Sequence, residues 1–319
     1  MLKKTLYYFD FIEYYMKAKK LQQRNLGLLP EHTKVDDPLM DNITIYDTVN
    51  RRYAGFSNML EDLWYGSKSP KNPSPQFDDL RDKWDEKLWL YIFLVHRTTG
   101  SGASFSKDHG YRNTCLPQLA KMDNFYGMKN YIYYYDRPIF TSIGNQIPPF
   151  NKPDVRYQTG GKMYLCEVAP VIVDKFLSWI RGRNTVTIQE GVDKICAIQK
   201  REGWKQFHFV LTAFIMDLAE YYPEHVDPDS MCYYGKNAKE CMDLLFREPK
   251  NYDEKMMVLC NHLGARPYDL EDVLCDYIRY VENYIPKGYE HLRADQVKNN
   301  SAMRNHPKHQ SWQKIATRS

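Results

Sequence analysis

The longest apolar runs, at 88–95 and 207–216, fall far short of the ~20 residues a membrane-spanning helix requires, so a membrane protein is a poor reading. Met1-Leu-Lys-Lys is followed by Tyr7, Asp10 and Glu13 rather than an unbroken apolar stretch, which does not read as a secretory signal. The seven cysteines are odd in number and form no Cys-x-x-Cys pair, so they suit neither a disulfide framework nor a zinc ribbon. Reduced, mostly buried thiols in a cytoplasm are expected. No His-Glu-x-x-His, nucleophile elbow, Rossmann fingerprint or Walker ending is present. The nine histidines show no ligand spacing, and Pro307 separates His306 from His309. Neither a metal nor a cofactor is expected.

A net excess of either charge is also small. Lys plus Arg number 44 and Asp plus Glu 40, for a net +4. From Lys287 onward four Lys and three Arg face only Glu290 and Asp295, so this tail carries +5 and the remainder −1. The tail suits phosphate contact or a frayed polar terminus equally. Tyrosine is abundant, with 26 residues beside 14 Phe and 6 Trp. An aromatic-rich interior and stacking platforms for unpaired bases would use the same residue types.

Apolar residues recur at helical spacing through most of the chain, and Val/Ile/Thr alternation is rare. Helices are predicted over 5–26, 43–53, 56–65, 78–95, 117–126, 170–181, 187–200, 204–222, 238–246, 253–263 and 270–284. Gly27 stands where a glycine past a helix end would, and Asp269 suits the cap of the last helix. A small β hairpin pairing 139–143 with 163–166 is admitted by the prolines and glycines between them. The expected fold class is mainly α with this small β insert. One helical domain over 1–286 is followed by the basic tail 287–319.

Four places carry candidate chemistry. In the polar loop from Arg97 to Asn113, Gly100, Ser101, Gly102 and Ser104 can form a nest of N–H donors for phosphate or diphosphate, with Arg97 adding a guanidinium. His109 is a candidate proton carrier there. Arg51 and Arg52 follow Asn50 on a predicted helix, and an arginine fork matches a phosphate; a pair with Asp47 or Glu61 is the structural alternative. Asp217 lies in a helix apolar on nearly all sides, where a carboxylate is costly unless paired. It is therefore a candidate general base or a buried salt-bridge partner. Finally, Gly235, Lys236 and Asn237 form a turn entering a helix, whose free N–H groups suit a backbone phosphate.

Read in order, several segments resemble one family. The stretch Leu26-Gly-Leu-Leu-Pro-Glu-His-Thr-Lys-Val-Asp-Asp-Pro-Leu, followed by Ile45-Tyr-Asp-Thr-Val-Asn-Arg-Arg, looks like its N-terminal motif. Gly203-Trp-Lys-Gln-Phe with Met216-Asp-Leu resembles its Gly-x-x-x-Phe … Asp-Leu helix. Asp229-Ser-Met-Cys-Tyr-Tyr-Gly-Lys-Asn-Ala resembles its Gly-Pro-Gly-Ala turn, with Lys236 and Asn237 in place of Pro-Gly. Leu270-Glu-Asp-Val-Leu-Cys-Asp-Tyr-Ile-Arg-Tyr resembles its closing helix. The family is that of the α-glutamyl/putrescinyl thymine pyrophosphorylases, related to helper domains of 5-hydroxymethyldeoxyuridine DNA kinases.

The resemblance implies a fold like that of the helix-hairpin-helix DNA glycosylases. It implies a transferase that replaces the diphosphate of diphosphorylated 5-hydroxymethyluracil in DNA with an amine, in the manner of bacteriophage thymine hypermodification. Double-stranded DNA bearing the modified thymine, an amino acid or polyamine, and a DNA kinase are the implied partners, in a host-cell cytoplasm and with no membrane. The base would be flipped into a pocket. Arg97, the 100–104 nest and Arg51 or Arg52 would hold the departing diphosphate, and Asp217 or His109 would take the amine's proton. Asn50, Asn113 and the 235–237 turn would touch DNA. The motif's Asn and Arg match Asn50 with either Arg51 or Arg52. A non-catalytic DNA-binding helper and a DNA glycosylase are the alternatives.

Overall fold

The computed structural model describes residues 2–35, 49–53, 58–65, 80–99, 124–135, 155–157, 159–204, 206, 208–249 and 251–281. These residues are mainly helical, and no strand occurs among them; two isolated bridges, Lys4 with Phe246 and Val186 with Val226, are the extended pairings. None of the described helices is long and apolar enough to cross a membrane.

Where the sequence reading draws one domain over 1–286, the chain forms two compact units. The first joins both ends, Met1–Ala54 with Tyr234–Ser319, and the second is Gly55–Tyr233. The basic tail lies outside the described residues.

In the first unit, α1 (Leu6–Asn25) packs on α10 (Lys236–Leu245) and α12 (Pro267–Val281), and α11 (Tyr252–Leu263) packs on both of the latter. A short 3₁₀ turn, Arg51–Tyr53, rests on α12. α1 ends because Gly27 adopts φ 73°, a left-handed conformation that leaves Leu26 and Leu28 N–H groups bonded back to Gln22 and Gln23 carbonyls. The face of α1 carrying Tyr8, Phe11, Tyr14, Tyr15, Ala18 and Leu21 is buried.

In the second unit, α2 (Asn58–Tyr65), α3 (Leu80–Lys83), α4 (Glu86–Thr99), α5 (Phe125–Tyr134), α6 (Gly160–Met163), α7 (Ala169–Ile180), α8 (Ile188–Arg201) and α9 (His208–Tyr221) follow in order. α4 runs through the middle of this unit, packed by α7 and α9. Its stretch from Leu88 to Val95 is buried on every side, which is why its sequence shows no amphipathic stripe. Trp64, Trp84 and Tyr221 cluster around its Trp89 and Phe93, with ring centroids 4.7 Å apart for Trp64 and Trp89 and 4.8 Å for Trp84 and Trp89. These aromatics serve the interior.

Several expectations change, among them the helix over 43–53, whose described part is a 3₁₀ turn at Arg51–Tyr53, and the helix over 117–126, whose described part begins α5 at Phe125. The span 78–95 is not one helix: it breaks at Trp84 and Asp85, where Asp85 Oδ1 accepts the Leu88 N–H at 2.8 Å and starts α4 afresh. The 163–166 arm of the expected hairpin is helical instead, since Met163 closes α6 and Tyr164–Val168 form a π-helical turn leading into α7. The other arm, 139–143, lies outside the described residues. Asp269 does not cap α12; it sits in the first turn and bonds elsewhere.

Candidate active site

The helix α4 extends to Thr99, so Arg97 belongs to its last turn and not to the loop where the sequence reading places it. Its side chain is fully buried. Arg97 Nε and a terminal nitrogen donate to the two oxygens of Asp217 on α9, a bidentate fork between two groups that are both buried. This answers the cost that the sequence raised for Asp217: its carboxylate is paired. It also corrects both assigned roles. A guanidinium held by a carboxylate is not presented to a diphosphate, and a carboxylate enclosed by that guanidinium is not presented to an amine. The pair performs the structural role that was the alternative for Asp217. Glu61 and His96 are also fully buried in this unit. Burial pushes the Tyr221 hydroxyl well above its ordinary value, and the Asp217 and Glu61 carboxylates push it further.

The remaining loop candidates Gly100, Ser101, Gly102, Ser104, His109 and Asn113 lie outside the described residues. Among the described residues, no group of His, Cys, Asp and Glu is arranged to hold a metal. Cys166, Cys196, Cys232, Cys241, Cys260 and Cys275 are all free thiols.

The first unit assembles a different constellation. Its centre is the N-terminal half of α12, with Asp269 in the first turn and Glu271 and Asp272 just after it. Arg51 reaches them from the 3₁₀ turn. Its backbone N–H donates to Asp269 Oδ1 at 2.7 Å, and a terminal guanidinium nitrogen to Asp272 Oδ2 at 2.8 Å. Arg266 Nε holds the other Asp269 oxygen at 2.9 Å. Asn50 positions this turn: its Oδ1 accepts the Arg52 N–H at 3.1 Å, and its carbonyl accepts from Gln22 of α1 at 3.2 Å. Arg51 is turned into the acidic cluster. Arg52 is half-buried, with its guanidinium 5.8 Å from the Tyr53 ring.

Gly235 arrives from the other side. It is the N-terminal flanking residue of α10, and its N–H donates to Glu271 Oε1 at 2.9 Å. A carboxylate of the chain thus occupies the donor that the sequence reading assigned to a phosphate. The first intrahelical bond of α10 runs from Lys239 N–H to the Gly235 carbonyl at 3.1 Å, so the N–H groups of Lys236 and Asn237 have no intrahelical acceptor. Lys236 itself is exposed and faces Glu240 at 3.5 Å.

Glu271 is not among the residues that the sequence singles out. It is only 4% exposed, and its Oε1 accepts from the Cys275 thiol at 3.6 Å as well as from Gly235. Burial raises its carboxyl, and the neighbouring Asp272 raises it further, to about 7; the Gly235 N–H, Arg51 and Cys275 pull in the opposite direction without cancelling this. The signal was present in Asp269-Leu-Glu-Asp272, but acidic residues at a helix start ordinarily complement the helix dipole. Only the approach of Arg51 and Gly235 sets Glu271 apart.

No family model matches the chain, and neither a curated protein nor a solved structure matches it.

Proposed function

We propose that the protein is a DNA base-modifying transferase, replacing the diphosphate on diphosphorylated 5-hydroxymethyluracil in DNA with an amine. The observation that carries this reading is the meeting of three distant segments, each part of the family resemblance, at one polar cluster. Asn50-Arg51-Arg52, the turn at Gly235 and the helix beginning Leu270-Glu271-Asp272 are separated by up to 221 residues, yet Arg51 and Gly235 both hydrogen-bond to carboxylates of that helix within a single unit. Shared motifs that served only local helix formation would have no reason to converge. The mainly helical architecture supports the same reading at the level of fold class, with the helix-hairpin-helix DNA glycosylases as the proposed likeness.

The cluster is richer in carboxylates than in cations, which suits an incoming amine better than a departing diphosphate. Arg51 then orients the acids, and the diphosphate is left to groups outside this cluster. The partners are duplex DNA carrying the modified base, a small amine, and the DNA kinase that makes the diphosphate ester; the site of action is the cytoplasm of the host cell.

The test is mass spectrometry of nucleosides from DNA carrying diphosphorylated 5-hydroxymethyluracil, incubated with the protein and a mixture of amino acids and polyamines. A new adduct with release of diphosphate is expected and names the amine. DNA that is bound but unchanged would overturn the transferase in favour of a helper that presents DNA to the kinase. Abasic sites would point to a glycosylase.

A further inference from the structure

We propose that Glu271 accepts the proton that the incoming amine must lose, and that its Oε2 oxygen is the atom that takes it. This rests on the transferase reading above.

The three carboxylates of the cluster are not equivalent. Asp269 bonds the Arg51 backbone and Arg266, and Asp272 bonds the Arg51 guanidinium. Glu271 alone of the three has no direct bond to a cation. Both of its hydrogen bonds, from the Gly235 N–H and the Cys275 thiol, fall on Oε1. Among the described residues no hydrogen bond reaches Oε2. Glu271 is thus a buried carboxyl that accepts hydrogen bonds at one oxygen and, among the described residues, none at the other, which leaves Oε2 a lone pair for a proton. The groups facing it are Asp272 and Cys275 on its own helix, Arg51 from the 3₁₀ turn, and the Gly235 N–H from α10. Its carboxyl, raised to about 7, exchanges a proton near neutral pH, where an alkylamine is mostly the ammonium ion and cannot attack.

The step balances without an external reagent. The ammonium gives one proton to Oε2, and the freed nitrogen lone pair forms a bond to the exocyclic methylene carbon of the base. The bond from that carbon to the diphosphate oxygen breaks, and diphosphate leaves with the electron pair.

The decisive comparison is wild type against Glu271→Gln on diphosphorylated DNA, with the rate followed from pH 5.5 to 9 using whichever amine the adduct experiment names. Gln keeps the acceptor for Gly235 and Cys275, so the fold should persist, and a thermal melt checks that it does. The expected result is a loss of about 100-fold or more in kcat/KM. The acidic limb of the wild-type profile, centred near pH 7, should vanish in the variant. Hydroxylamine, already unprotonated at neutral pH, should be used by both proteins at similar rates. A folded Gln variant that keeps the wild-type rate and the acidic limb overturns the proposal while leaving the transferase standing. Wild type that forms no adduct with any amine, hydroxylamine included, overturns both.

Discussion

The two units each bury an arginine among carboxylates, and they do so to different ends. In Gly55–Tyr233, Arg97 and Asp217 face each other two bonds to two, both buried. In the unit built from the chain ends, Arg51 divides its bonds between Asp269 and Asp272, and Glu271 beside them bonds only a peptide N–H and a thiol. Burial alone does not tell a charge locked in a pair from a group that can exchange a proton. The partner does: a carboxylate closed by a guanidinium is fixed, whereas one held by a neutral N–H still exchanges its proton.

The sharpest way to break this comparison is Asp217→Ala, which strands the Arg97 guanidinium in the interior. We expect a loss of about 3–5 kcal/mol in urea unfolding, with most of it recovered by Arg97→Met combined with Asp217→Leu. A single substitution costing under about 1 kcal/mol would mean that the pair is not structural.

Glu271→Gln should behave differently, through pH. A carboxyl raised from 4.5 to about 7 in the folded protein binds more protons there than in the unfolded chain across that window. Wild-type stability therefore falls as pH rises from 4.5 to 7, by an amount on the order of 2–3 kcal/mol, and the Gln variant should lack this decline. Chemical denaturation at several pH values reads it directly; parallel curves for the two proteins would remove Glu271 from its special position.

Packing in the second unit predicts a smaller effect. A Cβ at Gly191 on α8 would lie 3.0 Å from Ile215 Cγ2 on α9, and Ile215 is fully buried with little room to yield. Gly191→Ala should cost about 1–3 kcal/mol, measured as a lowered melting temperature.

The smallest effect contrasts two helix starts. α8 is capped locally, where Thr187 Oγ1 accepts the Glu190 N–H at 3.2 Å and Glu190 returns a bond to the Thr187 N–H at 2.8 Å. Thr187→Ala should lower stability by about 1 kcal/mol. α10 instead receives a carboxylate 36 residues away in the chain.

That contrast also explains what could be read in advance. α1 with its stop at Gly27, and the succession α7, α8, α9, α10, α11 and α12, follow from apolar spacing and local punctuation. Polar neighbours and a following glycine make Arg97 look like part of a loop, although α4 continues through it. The π-helical turn at 164–168 has no recognised signature, so its residues were read as one arm of a hairpin. Asp217 was recognised as an anomaly in an apolar helix; its partner, 120 residues away, was not.

The sequence by itself determined the helical class, the principal helix positions and the short list of polar residues that do not suit their surroundings. Those features depend on contacts within a turn or two, where spacing along the chain is spacing in space. The tertiary structure decided which of those residues are spent on each other. It closed Arg97 on Asp217, turned Arg51 toward α12 and set the Gly235 N–H on Glu271, because the free energy of a buried charge depends on the group placed against it. Such neighbours are brought together by folding, and no local pattern records them.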